Sequence, residues 1–262
     1  MDNELVIRAG GFLLLLIVML TWEQFFPRRS TGTLHRLRQL NNLLLLLINI
    51  LAVRLLLPIA VIGVANLAST NGWGLFNNLH VHPVAGFLAS LVVLDLVIYL
   101  QHVAFHKVPL FWKFHRVHHT DKEIDVTTGL RFHPFEILLS MLLKMLVVLL
   151  LGAPVLAVLV FEILLFMLSM FNHGNVFLPL FVDRYLRYFI VTPDMHRVHH
   201  STIRKETDSN FGFFLTIWDR TFRTYRDQPQ YGHTNMQIGL TEFPAEKSTE
   251  LKDLLYQPFI RV

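Results

Sequence analysis

Residues 84–106 read VAGFLASLVVLDLVIYLQHVAFH, an apolar run from Val84 to Leu100 that passes without a break into His102-Val-Ala-Phe-His106. Roughly 20 apolar residues at about 1.5 Å rise each cross a bilayer core. This stretch therefore reads as a membrane span that carries imidazoles at its end. The rest of the chain has the same character. Of its 262 residues 53% are apolar and only 16% charged, where a soluble domain carries about a quarter charged residues. The apolar excess lies in long blocks of Leu, Ile, Val and Phe, which excludes an ordinary soluble domain, a disordered chain and a secreted disulfide scaffold. Cysteine is absent, so thiolate metal ligands, iron–sulfur clusters and cysteine nucleophiles are excluded as well. The formal charge of +4 does not gather on a soluble face, as nucleic-acid binding would require.

Further spans are expected from about Leu5 to Trp22, from about Leu43 to Ala65 with Arg54 and Pro58 inside it, and within Phe135–Phe171. The first is followed by Phe25, Phe26, Pro27, Arg28 and Arg29 and has no small-residue cleavage site, so it reads as a retained anchor. Leu151-Gly152-Ala153-Pro154 divides the last block into a hairpin. Each arm is about 17 residues, at the lower end of spanning length, which also admits a re-entrant pair. Loop charges supply an orientation. Arg28, Arg29, Arg36 and Arg38 follow the first span; Lys107, Lys113, Arg116, Lys122 and Arg131 follow the third; eleven Lys and Arg lie beyond Phe171. Residues 66–83 and the 151–154 turn carry none. All basic segments fall on one side if the N-terminus is outside, and the positive-inside rule makes that side cytoplasmic. The expected fold is an all-α multi-span membrane protein of four to five transmembrane or re-entrant helices, with a cytoplasmic helical cap built from 101–134 and 172–262. Three regions follow: N-terminal helices over 1–83, a catalytic region over 84–226 that contains the hairpin 135–171, and a C-terminal tail over 227–262.

The cap holds the histidine pattern. His102 and His106 form an H-x-x-x-H; His115, His118 and His119 form an H-x-x-H-H; His196, His199 and His200 form a second one with the same Arg-Val filler. His133 and His173 stand singly between them. At the frequency of 14 His in the chain, chance gives an H-x-x-H-H on the order of 0.04 times. Residues at i, i+3 and i+4 of a helix share a face with about 5–6 Å between Cβ atoms, so each box presents two or three imidazoles to one side. Eight imidazoles suffice for two metal ions, and imidazole suits Fe, Zn, Cu and Ni alike. His35, His80, His82 and His233 lack such spacing and read as surface or interfacial residues. Asp95, Tyr99, His102 and His106 lie along one helical stripe. Asp95 is either an acceptor that orients a ligating imidazole or an interhelical partner of Arg54. Lys144 and Glu162 face each other across the hairpin as a structural pair. Aromatic residues beside the boxes, among them Phe105, Phe111, Trp112, Phe114, Phe211 and Phe213, line an apolar passage or serve as packing.

These motifs resemble the fatty acid hydroxylase/sterol desaturase superfamily of membrane oxygenases: H-x-x-x-H at 102–106, a nearby H-x-x-H-H at 115–119 and a distant one at 196–200. Arg131-Phe132-His133-Pro134, Asn172-His173-Gly174, Thr192-Pro193-Asp194-Met195, Asn210-Phe211-Gly212 and Trp218-Asp219-Arg220-Thr221-Phe222 are similar too. Arg223 departs from the pattern, because relatives often carry Gly there. The resemblance covers about residues 85–226. It implies two iron ions, with zinc able to substitute in a purified sample, held by His102, His106, His115, His118, His119, His133, His173, His196, His199 and His200. It also implies O2-dependent attack on a lipid C–H bond, by hydroxylation or desaturation. The lipid comes from the bilayer, and the electrons come from a separate donor: a ferredoxin, a cytochrome b5-like protein or a reduced pterin. A bacterial inner membrane is the expected location, or the ER membrane in a eukaryote.

The rival classes fit less well. A metal transporter places its ligands near the midplane of apolar spans, a haem protein needs single axial histidines, and a lipid hydrolase needs a nucleophile such as Gly-x-Ser-x-Gly, which is absent from the sequence. The remaining alternative is a catalytically inactive lipid- or metal-binding protein of the same fold.

Overall fold

The computed structural model describes residues 2–57 and 59–260. Among these the architecture is helical, with three isolated β-bridges and no strand. In chain order the main helices are α1 (Asp2–Phe25), α2 (His35–Leu56), α3 (Val61–Asn71), α4 (Leu75–Asn78), α5 (Pro83–Lys107), α6 (Pro109–His119), α7 (Pro134–Leu151), α8 (Val155–His173), α9 (Leu180–Leu186) and α10 (Pro193–His199). Four stretches among the described residues are long and apolar enough to cross a membrane: one within residues 35–78, then α5, α7 and α8. The apolar part of α1, Gly10–Phe25, is shorter.

One boundary differs from the sequence reading. The span expected over Leu43–Ala65 is not one helix: α2 begins at His35 and stops at Leu56, and α3 is separate. Leu57 precedes a proline in sequence and is extended, with φ −120° and ψ 91°; the residue before a proline is sterically biased out of the helical region. Pro58 itself lies outside the described residues. As the sequence reading expects, the 25 residues of α5 continue through the first histidine box, so span and box share one rigid rod.

The hairpin arms are 18 and 19 residues long, about 27–28 Å at helical rise, which is enough to span. Gly152 ends α7 at φ 64°, where the amides of Gly152 and Ala153 return to Leu149 and Val148 oxygens at 3.2 and 3.1 Å. A Cβ at Gly152 would meet the Trp73 carbonyl at 2.5 Å, so this turn requires glycine for its close approach as well as its conformation. Val61, Ala65, Leu94, Ile98, Val148, Val158 and Phe161 pack α3, α5, α7 and α8 together. Leu16, Met19, Met170 and Val176 join α1 to α8 and to residues 126–130. Large apolar side chains also point outward along the long helices, including Leu47, Leu51, Val84, Leu88, Leu142, Leu146 and Leu150. Such exposed rows fit a lipid solvent, in which helices satisfy their own backbone hydrogen bonds.

The polar segments fold over one end of this bundle. Arg131, fully buried, donates to Val117 O (2.8 Å), Thr120 Oγ1 (2.8 Å), Asn42 Oδ1 (3.2 Å) and Ser248 O (2.7 Å). It thereby ties α2, α6 and the C-terminal segment together. Buried Arg38 pairs with Asp121 at 2.7 Å and with Asp125. Lys144 and Glu162 pair across the hairpin at 3.4 Å. Arg223 adopts φ 60°, the left-handed conformation that costs an L-residue roughly 1–2 kcal/mol. Glycine at this position relieves that strain but loses more backbone entropy, about 0.5–1 kcal/mol. Arg223→Gly is therefore expected to stabilise the protein by about 0.5–1 kcal/mol, visible as a thermal midpoint about 2 °C higher. A lower midpoint would show that the Arg223 side chain outweighs its backbone.

Candidate metal centre

The three histidine boxes meet at the end of the bundle, and the helical spacing divides each H-x-x-H-H between two groups. His102 and His106 from α5, His115 and His119 from α6, and His199 from α10 form the first group. His118 from α6, His173 from α8, His196 from α10 and His200 just after it form the second. Within each group the candidate ligand nitrogens lie within 4.8 Å of one another, and all nine side chains are buried. The groups adjoin: the His119 and His200 rings are stacked at 4.6 Å, and the His196 and His199 rings at 5.2 Å.

Hydrogen bonds around the groups set the direction of the nitrogens. His102 Nδ1 faces Phe211 O at 2.8 Å, His115 Nδ1 faces Glu136 Oε1 at 2.7 Å, and His118 Nδ1 faces Arg131 O at 3.3 Å. His173 Nδ1 lies 2.6 Å from Ser169 O, and His199 Nδ1 lies 2.7 Å from Ser209 O. An oxygen acceptor draws the proton to Nδ1 and leaves Nε2 as a bare lone pair on the inner side. Those lone pairs converge: Nε2–Nε2 separations are 3.1 Å for His102–His115, 3.0 Å for His118–His173 and 2.9 Å for His173–His196. Nε2 of His106 and of His199 and both nitrogens of His200 have no hydrogen-bond partner, while His106 Nδ1 lies 3.5 Å from Asp208 Oδ1. Buried polar atoms are almost always paired, so bare nitrogens directed at common points fit a cation at each group.

Burial also holds the imidazoles neutral, the form that binds metal. Desolvation pushes His115 down to about 3. His118, His119, His196, His199 and His200 lie well below their ordinary value, first through burial and then through neighbouring imidazoles.

The structure brings together nine of the ten sequence-predicted ligands and leaves out His133. That residue caps α7, where its Nδ1 accepts the Phe135 amide at 3.2 Å, and its Nε2 faces Leu255 O at 3.3 Å. Proline at the first helical position leaves the preceding residue free to cap the helix, and this geometry turns the ring away from both groups. Asp95 follows neither expectation. Its Oδ2 accepts from Trp218 Nε1 at 2.8 Å and from the Leu215 amide at 3.2 Å, while Arg54 is exposed. Asp95 anchors the loop that supplies the Phe211 carbonyl to His102. His233, expected at the surface, is buried 3.6 Å from Asp194. His35 faces Glu123 at 2.8 Å, and His82 caps α5.

Two residues of the site were given no role by sequence reasoning, Asp219 standing there only as part of a motif. Asp219 accepts the Phe211 and Gly212 amides at 2.8 Å each and so fixes the backbone behind His102. Glu136 orients His115, and its other oxygen is unpartnered beside a cavity of about 190 Å³ lined by Phe105, Leu110, Phe111, Phe114, Phe135 and Leu139. A carboxylate in the first turn of a helix also suits the helix dipole, so the position of Glu136 alone does not mark it as a partner of His115. Glu136→Ala is expected to weaken metal binding about 10- to 100-fold, as read by competition with a chelator. Unchanged affinity would make the contact with His115 incidental.

The fatty acid hydroxylase family model matches residues 87–224. The chain is 31% identical over 187 residues to an ornithine lipid hydroxylase of Rhizobium tropici, covering 70% of this chain and 54% of that protein. It is 30% identical over 145 residues to human alkylglycerol monooxygenase, covering 54% and 31% of the two chains. It is 28% identical over 144 residues to rat cholesterol 25-hydroxylase, covering 54% and 47%. The chain thus aligns with about half or less of the length of these relatives. No solved structure matches it.

Proposed function

The chain belongs to the fatty acid hydroxylase family, and on that premise we propose that it is a membrane-bound, O2-dependent lipid hydroxylase. The observation that carries this reading is the pair of adjoining, buried, all-imidazole groups at the end of the spanning helices. Each group is assigned one iron ion, held by His102, His106, His115, His119 and His199 in the first and by His118, His173, His196 and His200 in the second; zinc fits the same nitrogens. Bound iron would supply Lewis acidity and one-electron redox chemistry toward O2.

The protein's own residues do the rest. Glu136 and the carbonyls of Phe211, Arg131, Ser169 and Ser209 hold the ligand rings with Nε2 inward. Burial keeps those rings neutral, and the enclosing apolar side chains exclude water from a reactive site. The net reaction adds one oxygen atom to the lipid: R–H, O2, two electrons and two protons give R–OH and water. Hydroxylation is preferred to desaturation because the named relatives are hydroxylases and monooxygenases. The lipid enters from the bilayer, the electrons come from a separate donor, and the basic loops put the site on the cytoplasmic side of a bacterial inner membrane or an ER membrane.

The test is mass spectrometry of total lipids from cells expressing the protein, beside cells carrying an empty vector, with iron supplied. A lipid class that gains one oxygen only with the protein supports the reading. Unchanged lipids, with metal bound, would favour the catalytically inactive lipid- or metal-binding alternative.

A further inference from the structure

The hydroxylase reading requires two electrons to reach buried metal ions from outside, and one surface provides a direct contact path. Trp112 is half-buried on α6. Its ring lies 5.0 Å from His106 and 5.4 Å from His119, both in the five-histidine group. Its outer side is covered by the exposed Arg204, whose guanidinium stands 5.2 Å from the ring centroid. Arg204 also donates to the His106 carbonyl at 3.2 Å. Asp208 receives both Arg204 (3.0 Å) and the exposed Lys107 (2.9 Å). Lys113 and Lys205, next in sequence to Trp112 and Arg204, are exposed as well. Two cations, Arg204 and Lys107, therefore pair with one partly buried carboxylate beside a tryptophan that packs on two ligand rings, and two exposed lysines flank them in sequence.

We infer that this patch, Lys107, Lys113, Arg204 and Lys205 around Trp112, is the docking site of an acidic one-electron carrier protein. The inference rests on the hydroxylase reading above. Opposite charge raises the encounter rate and orients the carrier. Electron transfer weakens steeply with distance, and Trp112 gives this surface a direct aromatic contact with two ligand rings. Each docking would deliver one electron from a reduced carrier to the site, and two dockings would supply the pair. With R–H, O2 and two protons, the two electrons give R–OH and water, and two oxidised carriers leave.

The test uses the full chain in lipid nanodiscs with a plant-type [2Fe–2S] ferredoxin as probe. Binding of oxidised ferredoxin at low salt is expected to weaken at least about tenfold in Lys113→Glu/Lys205→Glu, and wild-type binding is expected to weaken with salt. Trp112→Leu is expected to bind ferredoxin with little change and to accept its electrons at least about tenfold more slowly. Dithionite, which needs no docking, is expected to drive product formation equally in wild type and in Lys113→Glu/Lys205→Glu. Equal ferredoxin affinity in wild type and the charge-reversed variant, or no binding to wild type, overturns the proposal. So does turnover driven by a reduced tetrahydropterin alone and indifferent to all three substitutions. Binding is read without turnover, so a failure of the hydroxylase reading (no product with dithionite and O2) remains distinct.

Discussion

His118→Ala/His199→Ala, which removes one imidazole from each group, is expected to lose most of its bound metal and to form lipid product at least about 10³-fold more slowly than wild type. His199 Nε2 is bare and directed into the first group, and its Nδ1 is fixed by Ser209 O. His118 stands in the second group with its Nε2 3.0 Å from that of His173. Alanine leaves four imidazoles in one group and three in the other, and neither group itself contains a carboxylate. The fold is expected to survive, because the metal-free protein loses two buried rings that make few hydrogen bonds to the rest of the chain. Elemental analysis and the thermal midpoint check both parts. Full metal content and activity in the double variant would place the metal centre elsewhere.

Acid is expected to unfold the metal-free protein well before it unfolds ordinary domains. An unfolded histidine binds its proton near pH 6.5. In the folded chain His115, His118, His119, His196, His199 and His200 are held below that value by burial. Below about pH 6.5 the unfolded state therefore binds more protons than the folded one, and stability falls as pH falls. The loss continues until the folded groups titrate, about pH 3 for His115. Each such group contributes up to about 1.4 kcal/mol per pH unit, a large slope beside a total stability of about 5–15 kcal/mol; Asp219, raised by burial, opposes it in part. Near-UV circular dichroism of the chelator-treated protein should show loss of tertiary structure between about pH 6 and 4.5. A flat stability from pH 7 to 5 would mean that the imidazoles are solvated and the groups are open.

The membrane helices and the ligand set are legible in the sequence for a shared reason: both are periodic. Long apolar blocks report spans directly, and i, i+3, i+4 spacing reports which imidazoles share a helix face. Spacing did not show that His118 and His119, adjacent in sequence, serve different groups, because that depends on where α8 and α10 arrive. His133 had a motif but no spacing, and its place before Pro134 gave it a capping position instead. The partners of Asp95 lie 120 and 123 residues away, and Glu136 meets His115 only through the packing of α7 on α6. Contacts of that kind have no local signature. The Arg223 turn does have one, since the departure from glycine falls at a residue with φ 60°.

Under the proposed function, the chain inserts an oxygen atom from O2 into a lipid. The most direct test is reduction of the iron-loaded protein in nanodiscs of extracted lipid, followed by exposure to 18O2 and mass spectrometry of the product. The account predicts a hydroxylated lipid that carries one 18O atom and none when the label is supplied as H218O. A product labelled from water, as a metal-activated hydroxide would give, would contradict it.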